Sequence, residues 1–251
     1  MDISGSTILI TGGGSGIGRA LAEALHAQGA QVIVSGRRQA ALDEVTRANP
    51  GMKAMTLDIS DAAEVASFAE RAVREHPGLN VVINNAGIMQ PEDVKAAPDY
   101  LATAEATVAT NLLGPIRLMA ALLPHLLKQP KASVVTVSSG LAFVPMALTP
   151  TYSATKAAIH SYSMALRRQL EGTPVEVIEI IPPYVQTELM GERQASDPRA
   201  MALADFISET VRLLAEPGAT EIVVERCKPL RYAAENGAMS QMLDAINAMQ
   251  H

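Results

Sequence analysis

The chain has 251 residues, 48% of them hydrophobic and 18% charged, which is enough apolar material for one large core. A net charge of -6 disfavours nucleic acid as a partner, and the lone Cys227 excludes an intramolecular disulfide or a thiolate metal cluster. No basic segment precedes a long apolar one at the N-terminus, and apolar runs are interrupted short of bilayer length, so a cytoplasmic protein with no membrane partner is expected.

Short β-branched runs alternate with stretches of helical spacing. TILIT leads into IGRALAEALHAQ, QVIVS into QAALDEVTRA, and KAMTL into AAEVASFAERAVRE. VVIN precedes a long helical stretch over about residues 100–128, and SVVTVSS precedes TYSATKAAIHSYSMALRRQLEG. VEVIEIIP is followed later by LADFISETVRLLAE and EIVVE. Strands separated by helices join one sheet through right-handed crossovers, which predicts an α/β fold with a doubly wound parallel sheet of Rossmann type. No linker, repeat or shift of composition divides residues 1–251, so a single domain is expected. Its least regular part is residues 182–201, with Pro182, Pro183, Gly191 and Pro198.

Between the first strand and the first helix lies TGGGSGIG, bracketed by Gly12, Gly16 and Gly18. Glycines let the backbone approach a pyrophosphate, and the free amides and dipole at a helix start attract its charge, so Gly12, Ser15, Gly16, Ile17 and Gly18 are expected to bind a dinucleotide. After the second strand come Ser35, Gly36, Arg37 and Arg38, where a carboxylate selecting the ribose 2′-hydroxyl of NAD would stand. An arginine there pairs instead with a 2′-phosphate, so Arg37 and Arg38 point to NADP(H), with NAD(H) disfavoured. The competing reading makes both arginines a solvated start to the next helix.

In YSATK, Tyr152 and Lys156 stand four residues apart on one helix face. A phenol with its ordinary pKa of about 10 is a poor base at neutral pH, and an adjacent ammonium is expected to lower that value. Ser138 and Ser139 end the strand SVVTV at the carboxyl edge of the sheet, where doubly wound folds bind ligands. Asn111 lies four residues before Pro115, which has no amide hydrogen to offer the Asn111 carbonyl. That carbonyl is free to hold a water, or else Gly114 and Pro115 bend the helix around the core.

TGGGSGIG, NNAG at 84–87, Asn111, Ser139 and YSATK together resemble, in order and spacing, the short-chain dehydrogenase/reductase family over nearly the whole chain. The resemblance implies Tyr152 as general acid/base, Lys156 as its electrostatic partner and ribose ligand, Ser139 as the substrate-orienting hydroxyl, and Asn111 with Lys156 in a proton relay. It implies Asp58 and Ile59 near the adenine, Asn85, Ala86 and Gly87 beside the adenosine ribose, and Pro182, Val185 and Thr187 as further cofactor contacts. Two departures stand out: Pro182-Pro183 replaces Pro-Gly, and EIVVERCKPLR replaces the family's usual end of the last strand, on which its tetramer interface depends. SSGLAFVP, PPYVQTEL and VVERCKPLR resemble a branch that includes reductases associated with lipoteichoic acid D-alanylation operons.

The expected activity is hydride transfer between nicotinamide and a ketone, aldehyde or secondary alcohol. A catalytically silent nucleotide-binding regulator of the same fold is the alternative. Leu141, Ala142, Phe143, Val144 and Met146 on one side, and Tyr184, Leu189 and Met190 on the other, are expected to wall an apolar or aromatic substrate pocket. Residues 184–200 are expected to cover it, mobile and with few regular hydrogen bonds. Glu188 and Glu192 would repel anions if they face inward. A homodimer through the long helices is expected from Leu112, Leu113, Leu118 and Met119, with a tetramer open. His26, His76, His125, His160 and His251 show no metal-ligand spacing, so no metal is expected. Met239, Met242, Leu243, Ile246 and Met249 mark a helix face packed on the core or a subunit, and Cys227 is expected to be an inert packed thiol.

Overall fold

The structure, a computed structural model, describes residues 3–248, so Met249 and His251 lie outside it. Seven parallel strands form one sheet in the order β3-β2-β1-β4-β5-β6-β7. They are β1 (Thr7–Thr11), β2 (Gln31–Gly36), β3 (Lys53–Thr56), β4 (Leu79–Asn84), β5 (Ala132–Val137), β6 (Val175–Ile181) and β7 (Glu221–Val223). The order reverses direction between β1 and β4, and the crevice outside the carboxyl ends of those strands is where such sheets hold ligands.

The helices are α1 (Gly16–Ala27), α2 (Gln39–Ala48), α3 (Ala62–Glu75), α4 (Leu101–Val108), α5 (Gly114–Leu126), α6 (Pro150–Gln169), α7 (Glu192–Ser196), α8 (Leu203–Leu214), α9 (Lys228–Arg231) and α10 (Met239–Ala248). Because strand side chains alternate, Ile8, Ile10, Val32, Val34 and Ile83 join one core layer with Leu21, Leu25 and Phe206. Leu9, Ile33, Val82, Val134 and Val177 join the other with Phe68, Leu118 and Leu122. Full burial of each such side chain contributes about 1.5–3 kcal/mol, which explains why β1 is apolar at every interior position instead of alternating. Local signals set the helix ends: Asp61 caps α3 by accepting from the amides of Ala63 and Glu64, and Gly29, at φ +92°, donates its amide to the carbonyl of His26 beyond α1.

Two expectations change here. Residues Leu101–Leu126 form one helical stretch that is long and apolar enough to cross a bilayer, although no uninterrupted apolar run in the sequence is that long. Here its apolar side packs in the core, with Leu118, Leu122 and Leu126 wholly buried. For the same reason Leu118 and Met119, at 0% and 1% exposure, cannot supply a subunit surface. The apolar residues that these helices and α6 turn outward are Leu101, Leu113 and Met164. On α10, Met239, Met242 and Ile246 are half-buried and Leu243 is exposed. Asn247 ties the helix to the chain at Pro145 and Ala147.

Candidate active site

The loop after β1 is shaped by close approach to the NNAG segment. Gly12 has φ +68°, and a Cβ on it would stand 2.9 Å from Ala86 Cα; a Cβ on Gly18 would stand 2.3 Å from the Gly12 carbonyl oxygen and 2.4 Å from Asn85 Nδ2. Asn85 Nδ2 donates to the carbonyl of Thr11 at 3.0 Å, while Thr11 Oγ1 accepts from the amides of Asn85 and Ala86 at 3.0 and 3.1 Å. Ser15, the N-cap of α1, makes no side-chain cap bond, and the first turn contains no acid. The opening amides and positive dipole end of α1 could therefore hold an anion, and glycine is required at positions 12 and 18 by the close packing of the loop on Asn85 and Ala86.

A cleft of about 620 Å³ opens there, lined by Gly12, Ser15, Gly16, Ile17, Arg38, Asn85, Ala86 and Gly87 on the β1 side and by Ser139, Tyr152, Lys156, Pro182, Val185 and Thr187 on the other. A smaller cleft of about 170 Å³ continues past β2, where Arg37, Asp58 and Ile59 join its wall. The fold thus gathers the sequence-predicted binding residues, apart from Gly18, which packs behind the loop. Arg37 and Arg38 are exposed and form no ion pair among the described residues. Hydrogen bonds from the Ser60 hydroxyl and amide, at 2.7 and 2.9 Å, hold the Asp58 carboxyl below its ordinary range against the opposing effect of burial, with help from Arg37.

On the far wall, Ser139 follows β5 in extended conformation, and its Oγ accepts the amide of Leu141 at 3.1 Å. Tyr152, Lys156 and His160 form one stripe of α6, facing the sheet. Burial pushes the Tyr152 phenol up to about 12, against a hydrogen bond with Ser139 that lowers it. The expected lowering by Lys156 does not occur. Its Nζ is 5.5 Å from the centre of the Tyr152 ring and donates to the carbonyl of Val137 at 2.7 Å, so the ammonium is spent on the sheet and desolvation of the phenolate dominates. Burial likewise lowers Lys156 to about 8, while Glu179 acts to raise it.

Asn111 lies in a π-helical turn, Ala109–Leu113, just before Pro115, where the irregularity was expected. Its side chain reads both backbone groups of Ile88: Oδ1 accepts the amide and Nδ2 donates to the carbonyl, each at 2.8 Å. Asn111 stands behind the cleft wall, fixing the strand β4 exit against α6 through a further bond to Thr155 Oγ1 at 3.4 Å.

Comparison with known proteins agrees with this geometry. The family model described as short chain dehydrogenase matches residues 6–198. The oxidoreductase DltE of Bacillus subtilis (strain 168) is 41% identical over 236 residues, covering 93% of each chain. A short-chain dehydrogenase from Burkholderia cenocepacia, solved in complex with NADP, superposes with a TM-score of 0.81 at 28% identity over 98% of each chain. One from Burkholderia phymatum, solved with NAD, reaches a TM-score of 0.82 at 20% identity over 96% of each, which is a likeness of fold. The chain belongs to the short-chain dehydrogenase/reductase family. It is an oxidoreductase of that family.

Within this family member the substrate end of the cleft differs from expectation. Leu141, Ala142, Phe143, Val144 and Met146 do not line it: Val144 is wholly buried, and Phe143 packs edge-on against His160 and under the Arg231 guanidinium. Tyr184 turns outward, donating to Asp197 Oδ2 at 3.2 Å. Leu189 and Met190 do line the cleft, facing Ile88, Met89 and Pro91 from the chain after β4. Glu188 sits at its edge, whereas Glu192 is exposed away from it.

The segment expected to cover the cleft is better bonded than its proline content suggests. The amides of Met201 and Gln186 close it on the carbonyls of Tyr184 and Met201, at 2.8 and 2.9 Å. Gln194 is buried and donates to the Val185 carbonyl and Thr187 Oγ1 at 2.8 and 3.0 Å while accepting the Met190 amide. Gln194 carries no motif signal of its own. Nor does Glu92, which is buried against the start of α6. His160 meets Glu179 at 2.8 Å and lies with Glu179 and Glu221 in one cluster drawn from three elements. Cys227 is wholly buried, and burial pushes its thiol up to about 12, which leaves it unreactive.

Proposed function

We propose that this oxidoreductase binds NADP(H) and interconverts a ketone or aldehyde with its alcohol, Tyr152 acting as general acid/base. The observation that carries the reading is the buried Ser139–Tyr152 hydroxyl pair at the floor of a cleft whose other wall is the bare N-terminus of α1. Bound nicotinamide would exchange the hydride with the substrate carbon. A phenol held at about 12 keeps its proton at neutral pH, which suits donation to a carbonyl oxygen under reduction, with Ser139 orienting that oxygen. Lys156 would hold the cofactor's ribose, and Lys156 and Asn111 would serve as the proton relay. Arg37 and Arg38 would take the 2′-phosphate, since both stand at the rim of the smaller cleft with no ion pair among the described residues.

Met89, Leu189 and Met190 favour an apolar or aromatic substrate, with Glu188 disfavouring anions. Residues 184–200 form the cover. The working form is a cytoplasmic homodimer, using the outward apolar residues Leu101, Leu113 and Met164. Light scattering at micromolar concentration checks the dimer, and a monomer there would refute it.

The test of the chemistry is NADPH oxidation against an aryl ketone and a keto acid of similar size, in the parent protein and in Tyr152→Phe. The variant is expected to bind NADPH as the parent does while losing about 10²–10⁴-fold in turnover. Unchanged turnover removes Tyr152 from its role, and preference for the keto acid overturns the apolar substrate class.

A further inference from the structure

The sheet changes character beneath α6 within two residues. Val82, Val134 and Val177 stand side by side on β4, β5 and β6, buried in the apolar layer. Two residues on, facing the same way, the aligned partners are Asn84, Thr136 and Glu179, and β7 extends the row with Glu221. Thr136 meets Ser163 of α6 at 2.8 Å and Glu179 meets His160 of α6 at 2.8 Å. A carboxylate can only accept, so His160 Nδ1 carries the hydrogen of that bond.

Glu179 has 0% exposure, and its second oxygen, Oε1, has no hydrogen-bond partner among the described residues. A buried carboxylate so incompletely bonded is costly unless a positive charge stands near it. The charges around it can be named element by element. On α6 there is the Lys156 ammonium, while His160 meets Glu179 as a hydrogen-bond donor and the phenol of Tyr152 is uncharged. On β7 there is Glu221, whose two oxygens are held by Arg231 at 2.8 and 3.2 Å. Arg231 on α9 also pairs with Glu235 at 2.8 Å, and the Cys227 thiol stays neutral. The carboxylates of Glu179 and Glu221 lie with His160 Nδ1 within 4.8 Å, a grouping that a metal ion could use, but the Arg231 guanidinium already supplies the positive charge at Glu221. What remains to balance Glu179 is Lys156, one helical turn from His160 on the same stripe of α6, whose Nζ is bonded to the carbonyl of Val137, the residue after Thr136, the strand neighbour of Glu179; Glu179 acts on that ammonium.

We infer that Glu179 is a positioning residue, the buried counter-charge of the Lys156 ammonium, and that His160 holds its carboxylate in place for that role. The inference rests on the reading of Lys156 as part of the active site. Burial works to strip the proton from Lys156, whose midpoint of about 8 leaves the ammonium present below that pH and lost above it. Glu179 opposes the loss. Without it the midpoint falls, and the ammonium that orients the ribose disappears within the neutral range.

The experiment follows the Lys156 side chain by NMR in the full-length protein labelled at lysine, its signal being the one missing from Lys156→Met. In Glu179→Gln the titration midpoint is expected to fall by about one pH unit or more, and Glu179→Asp, which keeps the charge, recovers most of the shift. The basic limb of the turnover profile moves down with it, so Glu179→Gln loses about tenfold above pH 8 and little near pH 6. Should Glu179→Gln fail to fold, the double variant Glu179→Met, His160→Leu fills both positions with apolar side chains and is expected to show the same lowered midpoint. A midpoint unchanged in either folded variant overturns the proposal. Absence of carbonyl turnover in the parent would remove the catalytic reading alone, because the lysine titration is read without substrate.

Discussion

The glycine loop after β1 shares one cleft with Tyr152 and Lys156 of α6, behind which the polar row lies, and the two sides are built by opposite means. On the β1 side the means are backbone: amides at the start of α1, glycines where a Cβ would collide, and Asn85 bonding to the loop's own carbonyls. On the α6 side the means are side chains: Tyr152, Lys156 and Glu179 are buried, His160 is half-buried and bonded to Glu179, and Glu179 acts on the charge of Lys156. A backbone cradle depends on shape and tolerates no added atom. A buried charge network depends on balance, and any one member can be altered in size so long as the sum of charge is kept.

Gly18→Ala breaks the first side most severely. Alanine is the better helix former by about 1 kcal/mol, so helix propensity alone predicts stabilisation of α1. The close approach to the Gly12 carbonyl predicts the reverse, with the loop displaced, NADPH binding lost and a net destabilisation of about 1–3 kcal/mol from overpacking. Thermal unfolding and cofactor titration read both effects, and a more stable protein that still binds NADPH would show that the loop is not held by shape.

Arg37→Asp comes next, and it separates cofactor charge from cofactor shape. A hydrogen bond to a charged group contributes about 1.5–3 kcal/mol, so replacing the arginine with an acid is expected to narrow or reverse the NADPH over NADH preference by about tenfold to a hundredfold. NADH affinity should hardly move, because the backbone cradle is untouched. Equal affinities for the two cofactors in the parent would make Arg37 and Arg38 ordinary surface charges.

The same contrast governs what could be read from the sequence. Gly12, Gly16, Gly18 and the pair Tyr152 and Lys156 are local in the chain, and the spacing of such groups along one turn or one helix face already places them together. The wall residues were legible only in part, because which of Val144 and Met89 faces the cleft depends on packing between distant elements, and Val144 turned into the core. His160 and Glu179 were not legible as a pair, since 19 positions and a change from helix to strand separate them. The Tyr152 shift went the other way from expectation for a related reason: helix spacing brings Lys156 near, but only the fold shows that its ammonium reaches past the phenol to the Val137 carbonyl.

The smallest effect is expected at Glu92, which holds α6 itself in place. Its buried carboxylate accepts from Thr151 Oγ1 at 2.6 Å and from the Thr151 amide at 3.2 Å, at the first turn of α6. Thr149, the residue before that helix, makes no side-chain cap bond, so Glu92 does from another segment what a capping residue does locally. A negative charge at this end also meets the positive end of the α6 dipole. Glu92→Gln keeps the shape and one acceptor but removes the charge, and a cost of about 1 kcal/mol is expected, visible as a lower melting temperature. Turnover by the folded variant should be nearly that of the parent, because Tyr152 and Lys156 are also fixed from within by Ser139 and Val137. A large loss of turnover with unchanged stability would instead place Glu92 among the groups that set the charge balance of the cleft, and would shift the boundary between its two sides.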